Sequence, residues 1–299
     1  MINFNGKYTN EEQLSIYRSL VDYTKQRLDS EKIVIDDLYA GTYSFESAEK
    51  FRKNYTIVSR LSKALSSGMK GEERAYNSLK IRDYSSRVLK SVQTPSYNPQ
   101  WSVEHDIIVI TDKAIFTVEV KNISDPKVVI TEQGVMIKES SRGEIRVDKN
   151  VVQQSRWHQV SIRKLLKGTR FENVSVIPVL MFANDMCTFE NRFSSADGGD
   201  GFRCCYCATA DKAIFDCDSE GYLTKDDMAE IEEILTSASS NYPTRRFDIC
   251  VDVKEYTEIL ESFINDVKEE RNRKEQTTEY GVDEIKMYLN GLLLSNSKA

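Results

Sequence analysis

Nowhere does the chain approach the roughly 18 uninterrupted apolar residues that a membrane span requires. Its opening, MINFNGKYTNEEQ, lacks the basic head and apolar run of a secretion signal. Both absences predict a cytoplasmic protein with no membrane partner. Neither G-x-x-x-x-G-K-[ST] nor G-x-G-x-x-G occurs, so nucleotide hydrolysis would need a second chain. There is no internal repeat and no low-complexity tract, which sets aside repeat arrays. Histidine is scarce, with only His105 and His158.

Six cysteines in a chain without a secretion signal read as reduced thiols. Cys204, Cys205 and Cys207 fall on a β-type run whose alternate residues point to opposite faces, which argues for core thiols against a zinc knuckle. The acidic run Asp216, Asp218, Glu220 lacks the glycine and terminal glutamate of a calcium loop and reads as a solvated lead into a helix.

What is present is an ordinary globular composition, 40% hydrophobic and 29% charged, long enough for one large core or two modest ones. The formal net charge of −6 argues against a protein that coats nucleic acid. It averages two unlike parts, however. Residues 1–180 hold 28 Lys+Arg against 22 Asp+Glu, whereas residues 181–299 hold 13 against 25. Residues 51–90 alone carry 10 basic and 3 acidic side chains, so a polyanion site belongs in the first part.

Apolar spacing predicts helices over Glu11–Leu28 and Ser47–Ser66, the second ending near Gly68, and a third over Gly71–Lys80 with Ala75 and Leu79 on one face. Short β-type runs follow at Arg87–Val92, Asp106–Ile110, Ile115–Val120, Lys127–Thr131 and Val135–Lys138, expected as one antiparallel meander. A helix over Asn150–Lys167 and a doubly covered strand at Val174–Phe182 come next. Then follow a loop at Asn184–Asp200, a strand at Phe202–Ala208 and helices at Asp226–Thr236, Val253–Glu269 and Val282–Leu294, with Arg271–Thr278 as a linker. The expected fold class is α/β, a mixed sheet sandwiched by helices. The expected division is a helical N-terminal extension at 1–67, a core at 68–215 and an acidic helical C-terminal region at 216–299.

The informative stretch is HDIIVITDKAIFTVEVKN, residues 105–122. Glu119 and Lys121 sit two apart in an apolar strand and so project from one face. Asp106 opens the preceding strand, and a tight hairpin can bring its carboxylate beside Glu119. Two carboxylates and an ammonium at a sheet end suit phosphodiester hydrolysis. Hard oxygen donors hold Mg2+ or Mn2+, and the lysine orients water or stabilises the charged transition state. Tyr97 and Trp101, near Pro95 and Pro99, are candidates for stacking on an exposed base or for packing a loop onto the core.

The series GEER at 71–74, HDIIVI at 105–110, FTVEVKN at 116–122 and N-x-x-x-Q at 150–154 with His158 resembles the nuclease-related (NERD) domain of the PD-(D/E)xK nuclease superfamily. The likeness covers about residues 70–185. It implies a restriction-endonuclease-like core acting on nucleic acid, DNA favoured, with Mg2+ or Mn2+. By the same resemblance, Glu73, Asp106 and Glu119 are metal ligands and Lys121 is the catalytic lysine. Gln154, or Gln153 beside it, is the glutamine that reaches back to the site. His158, Arg74 and Lys80 are candidate substrate contacts. Asn150–Val151 departs from the family's Asn-Pro and weakens the helix start as a signal. A rival expectation keeps the fold and discards turnover, leaving a silent or partner-activated DNA-binding subunit. The acidic C-terminal region would then dock a protein partner or a second copy of the chain.

Overall fold

A computed structural model describes residues 7–81, 86–96, 102–194, 201–216, 222–242 and 246–296. In chain order its elements begin β1 (Lys7–Tyr8), α1 (Asn10–Ser30), α2 (Ile35–Ala40), α3 (Glu46–Lys80), β2 (Arg87–Pro95), β3 (Ser102–Ile110) and β4 (Ile115–Lys121). They continue β5 (Lys127–Ile130), β6 (Val135–Glu139), β7 (Ile145–Asn150), α4 (Val151–Leu166), β8 (Val176–Phe182), β9 (Thr188–Asn191) and β10 (Arg203–Tyr206). Last come α5 (Ala210–Ile214), α6 (Lys225–Ser240), β11 (Phe247–Asp248) and α7 (Val253–Asn296). Residues up to Lys63 and from Arg246 onward make one compact unit, and Ala64–Arg245 make the other.

The first unit is helical. Thr9 and Glu12 form a reciprocal capping box that starts α1. Tyr17, Phe51, Tyr256 and Phe263 are buried in its core, Phe51 and Phe263 stacked with centroids 5.1 Å apart. Tyr256 has its hydroxyl 2.7 Å from that of Thr24, so the buried polar end of the ring is satisfied. The linker expected at Arg271–Thr278 is instead part of α7, which is unbroken. Its Arg, Lys, Glu and Gln are good helix formers, and Arg273–Glu269 and Lys274–Glu270 pair one turn apart. Polarity alone did not distinguish a linker from an exposed helix.

The second unit is a mixed α/β sandwich. Its main sheet has the order β10-β8-β4-β3-β2, antiparallel across β2, β3 and β4 and parallel from β4 through β8 to β10. On one face Ala75 and Leu79 of α3 and Ala210, Ala213 and Ile214 of α5 pack against Ile107, Phe116, Val118 and Val179. On the other, Ile162 and Leu166 of α4 and Met228, Ile231 and Leu235 of α6 pack against Ile108, Ile110 and Ile115. β8 is buried along its whole length, as its continuous apolar run requires.

The expected single meander is divided between two sheets. β5 and β6 leave the main sheet and join β7 and β9 in the order β7-β6-β5-β9. Phe182 and Leu180 of β8 are buried together with Val128, Ile130 and Met136, so this second sheet gains a core of its own. β9 lies within the stretch expected as loop.

The helix break expected at Gly68 is absent, and α3 runs through it. The informative glycine is Gly71. A Cβ there would stand 2.5 Å from the Cβ of Asn122, so only glycine lets α3 lie this close to the end of β4. Asn122 Nδ2 completes the contact by donating to the Ser67 carbonyl at 2.8 Å.

Candidate active site

β3 and β4 form a hairpin whose pairing runs from Ile110↔Ile115 to Ile107↔Val118 and ends there. At this point β3 is distorted. Ile107 faces the α3 side and Ile108 the α4 side, yet His105 also faces α4, bonding Ser161. The inward–outward alternation therefore shifts by one at Asp106. The facing strand carries Ser91 at φ +54°, a left-handed conformation unusual for serine, with the β2–β3 register the same on both sides. Asp106 thus sits at a kink where β3 peels away from β4. Its Oδ2 accepts the Val120 N–H at 2.8 Å, replacing the ladder partner that β4 loses.

Glu119 and Lys121 share the face of β4 turned toward α4. Glu119 is 5% exposed, and its Oε1 accepts hydrogen bonds from Lys121 Nζ at 2.6 Å and Gln154 Nε2 at 2.8 Å. Of the two adjacent glutamines, Gln154 is the one that reaches the strand. Gln153 gives its backbone N–H to Oδ1 of Asn150 at 2.8 Å. Asn150 therefore caps α4 without the proline of the family pattern.

The charges are strongly coupled. Burial pushes the Asp106 carboxyl well above its usual range, and the Glu119 and Glu72 carboxylates push it the same way, against the Val120 N–H. Burial alone would lower the Lys121 ammonium, but the charge and hydrogen bond of Glu119, with Asp106 and Asp148 behind, hold it above the ordinary lysine value. Lys121 is a firm cation.

Of the two glutamates of GEER, the sequence reading named Glu73 as the helix carboxylate. Glu73 is exposed and points away, bound to Lys90 Nζ at 2.6 Å and Asn77 Nδ2 at 3.1 Å. Glu72 is the half-buried one. Burial raises it, Lys90 opposes, and the Glu104 and Glu119 carboxylates raise it further. The signal was legible: Glu72, Ala75, Tyr76 and Leu79 follow i, i+3, i+4, i+7, so the core face selects 72 over 73. Glu104, which the sequence reading did not name, lies close enough for its carboxylate to act on Glu72.

The expected substrate contacts are dispersed. Arg74 pairs with Asp185 at 2.7 Å, and Lys80 lies over the Tyr76 ring at 5.5 Å. His158 is buried behind Glu119, its Nδ1 3.8 Å from Oε2 and its ring edge-on to His105 at 4.8 Å. His105 Nε2 in turn lies 2.8 Å from Thr94 Oγ1 and 3.1 Å from Ser161 Oγ. Burial keeps both imidazoles below the ordinary histidine range, hence neutral. They form a packed polar floor beneath Glu119. Tyr97 and Trp101 lie outside the described residues. Cys205 on β10 and Cys207 in the turn after it are in the core on the α3 side, whereas Cys204 packs toward the other face, as the alternation of a strand requires.

Among the described residues no three His, Cys, Asp or Glu side chains already surround a common metal position. The donor set nonetheless suits a hard divalent ion. Asp106, Glu119 and Glu72 are oxygen donors whose mutual repulsion a cation would relieve, and the buried Gln154 Oε1 has no partner among the described residues.

A mixed sheet flanked by helices thus carries a carboxylate pair and a lysine where two of its strands part. Residues 67–183 match the family model of the nuclease-related domain, so the chain carries a NERD domain in this stretch. Such a domain implies a nuclease-related function and a nucleic-acid substrate. No curated protein and no solved structure is similar enough to the chain to match it. No helix among the described residues is long and apolar enough to cross a membrane.

Proposed function

We propose that Ala64–Arg245 is a PD-(D/E)xK-type endonuclease that hydrolyses phosphodiester bonds with Mg2+ or Mn2+, DNA being the favoured substrate. The observation that carries this reading is Glu119, buried on β4, held by Lys121 and Gln154, and electrostatically coupled to Asp106. Asp106 and Glu119 would hold the ion, with Glu72 as the helix carboxylate in place of Glu73. When bound, the ion neutralises phosphate charge and acidifies water. The chain's own side chains do the rest. Lys121 keeps its proton at Nζ and can turn from Glu119 to an anionic phosphate oxygen as charge develops there. Gln154 holds Oε1 of Glu119 while Lys121 moves, and the neutral His158 and His105 keep water from behind the carboxylate.

Cleavage of supercoiled plasmid and of single-stranded DNA tests this. Metal-dependent cutting is expected from the wild type and abolished in Asp106→Ala and Lys121→Ala. Glu72→Gln should slow it at least tenfold while Glu73→Gln changes it less than about twofold, on the scale of losing one charged group at the reacting centre. A folded wild type that never cuts would sink the autonomous enzyme.

A second reading has one observation behind it: the Glu119 carboxylate is already engaged by Lys121 and Gln154. In that reading the domain binds DNA and turns over only with a partner. Metal-independent, salt-sensitive affinity with no cleavage would favour it.

A further inference from the structure

α4 presents two unlike faces. Gln154, His158, Ser161 and Ile162 turn inward to Glu119, His105 and the sheet. Trp157 and Val160 face solvent, 60% and 53% exposed, and at i and i+3 they are neighbours on the helix surface. Tryptophan is on average among the more buried residue types, so an open indole beside a candidate active site calls for a ligand.

Three features specify which one. Helical side chains lean toward the helix N-terminus, so the indole at 157 covers the turn that carries Gln154, the residue bonded to Glu119. α4 contains Arg156, Arg163 and Lys164 and no Asp or Glu, so its potential attracts a polyanion and repels a basic protein. An indole offers a flat π-face, which stacks on any nucleobase whose own faces are uncovered. Bases inside a duplex are covered on both sides by their neighbours; unpaired ones are not.

Resting on the nuclease reading above, we infer that Trp157, with Val160 beside it, is a stacking platform for an unpaired nucleobase flanking the bound phosphate. The substrate class is then single-stranded or locally unpaired nucleic acid. The exposed pair selects by base availability, and the basic helix supplies affinity without sequence preference.

Binding in EDTA tests this without turnover. The full-length protein is titrated against a fluorescein-labelled oligothymidylate and against an abasic strand of equal length, following anisotropy. The wild type should prefer the base-bearing strand by roughly tenfold, the scale of one stacked base. Trp157→Ala should erase that preference while binding the abasic strand as the wild type does, and Trp157→Phe should keep most of it. Unfolding midpoints of the variants should match the wild type, because the side chain is mostly in solvent. The platform is overturned by equal affinity of the wild type for both strands, by an equal loss on both strands in Trp157→Ala, or by no binding at all. It is also overturned if sedimentation shows self-association that Trp157→Ala abolishes, since the patch is then a contact between copies. Cleavage without base preference would leave the nuclease and remove the platform; base preference without cleavage in any metal would do the reverse.

Discussion

Asp106 stands where β3 parts from β4, and its carboxylate does two things there. It closes the Val120 N–H left open by the departing strand, and it adds negative charge to a group that already holds Glu119 and Glu72. Its raised affinity for a proton has a definite sign. Below the unfolded aspartate value of about 3.9 both states are protonated and nothing is lost. As pH rises through the higher folded value, the folded chain must ionise a buried acid, and stability falls. Asp106→Asn should therefore raise the unfolding midpoint at neutral pH, by roughly 2–4 °C for relief on the order of 1 kcal/mol, and the gain should vanish near pH 3. Millimolar Mg2+ should raise the midpoint of the wild type but not of this variant, which differential scanning fluorimetry reads directly. At this scale the sequence showed Asp106, Glu119 and Lys121 by type and spacing. Of the two glutamates of GEER it named Glu73, and only packing decides that Glu72 is the half-buried one.

At the scale of elements, α3 and α4 bring their side chains to the sheet by different means. α4 is positioned by its cap at Asn150 and by Gln159, whose Nε2 donates to the Val176 carbonyl at 2.7 Å. α3 is positioned by the absence of a side chain at Gly71. Gly71→Ala gains intrinsic helix propensity, about 1 kcal/mol, yet must push Asn122 aside. The clash should win, with a net loss of about 1–3 kcal/mol in denaturant unfolding and a fall in cleavage comparable to that of Glu72→Gln. A stabilised or fully active Gly71→Ala protein would show that the close approach does not set the position of Glu72. The break expected at Gly68 illustrates the limit of local reading: a glycine with open space around it is tolerated inside a long helix, and nothing in the sequence separates it from one held against a neighbouring strand.

At the scale of the molecule, the two buried histidines tie the stability of the sandwich unit to pH. Both are neutral when folded, held so by burial, whereas in the unfolded chain they take up protons below about pH 6.5. Their contribution is present above that value and lost as pH falls through it, opposite in sign to the effect of Asp106. The unfolding free energy should decline between about pH 6.5 and 5, and His105→Gln should flatten that slope whatever it does to stability at pH 7; an unchanged slope, by urea titration at several pH values, would contradict this. Residues from Arg246 onward share a compact unit with those up to Lys63 at this scale. By itself the sequence determined the α/β class, the hairpin bearing Asp106 and Glu119, and the helix bearing Gln154, because periodicity and turn chemistry are local. Only the tertiary structure decided the kink at Ser91 and Asp106, the separation of β5 and β6 into a second sheet, the half-burial of Glu72 beside an exposed Glu73 and the burial of His158. Each of these depends on which surfaces, far apart in the chain, exclude water from one another.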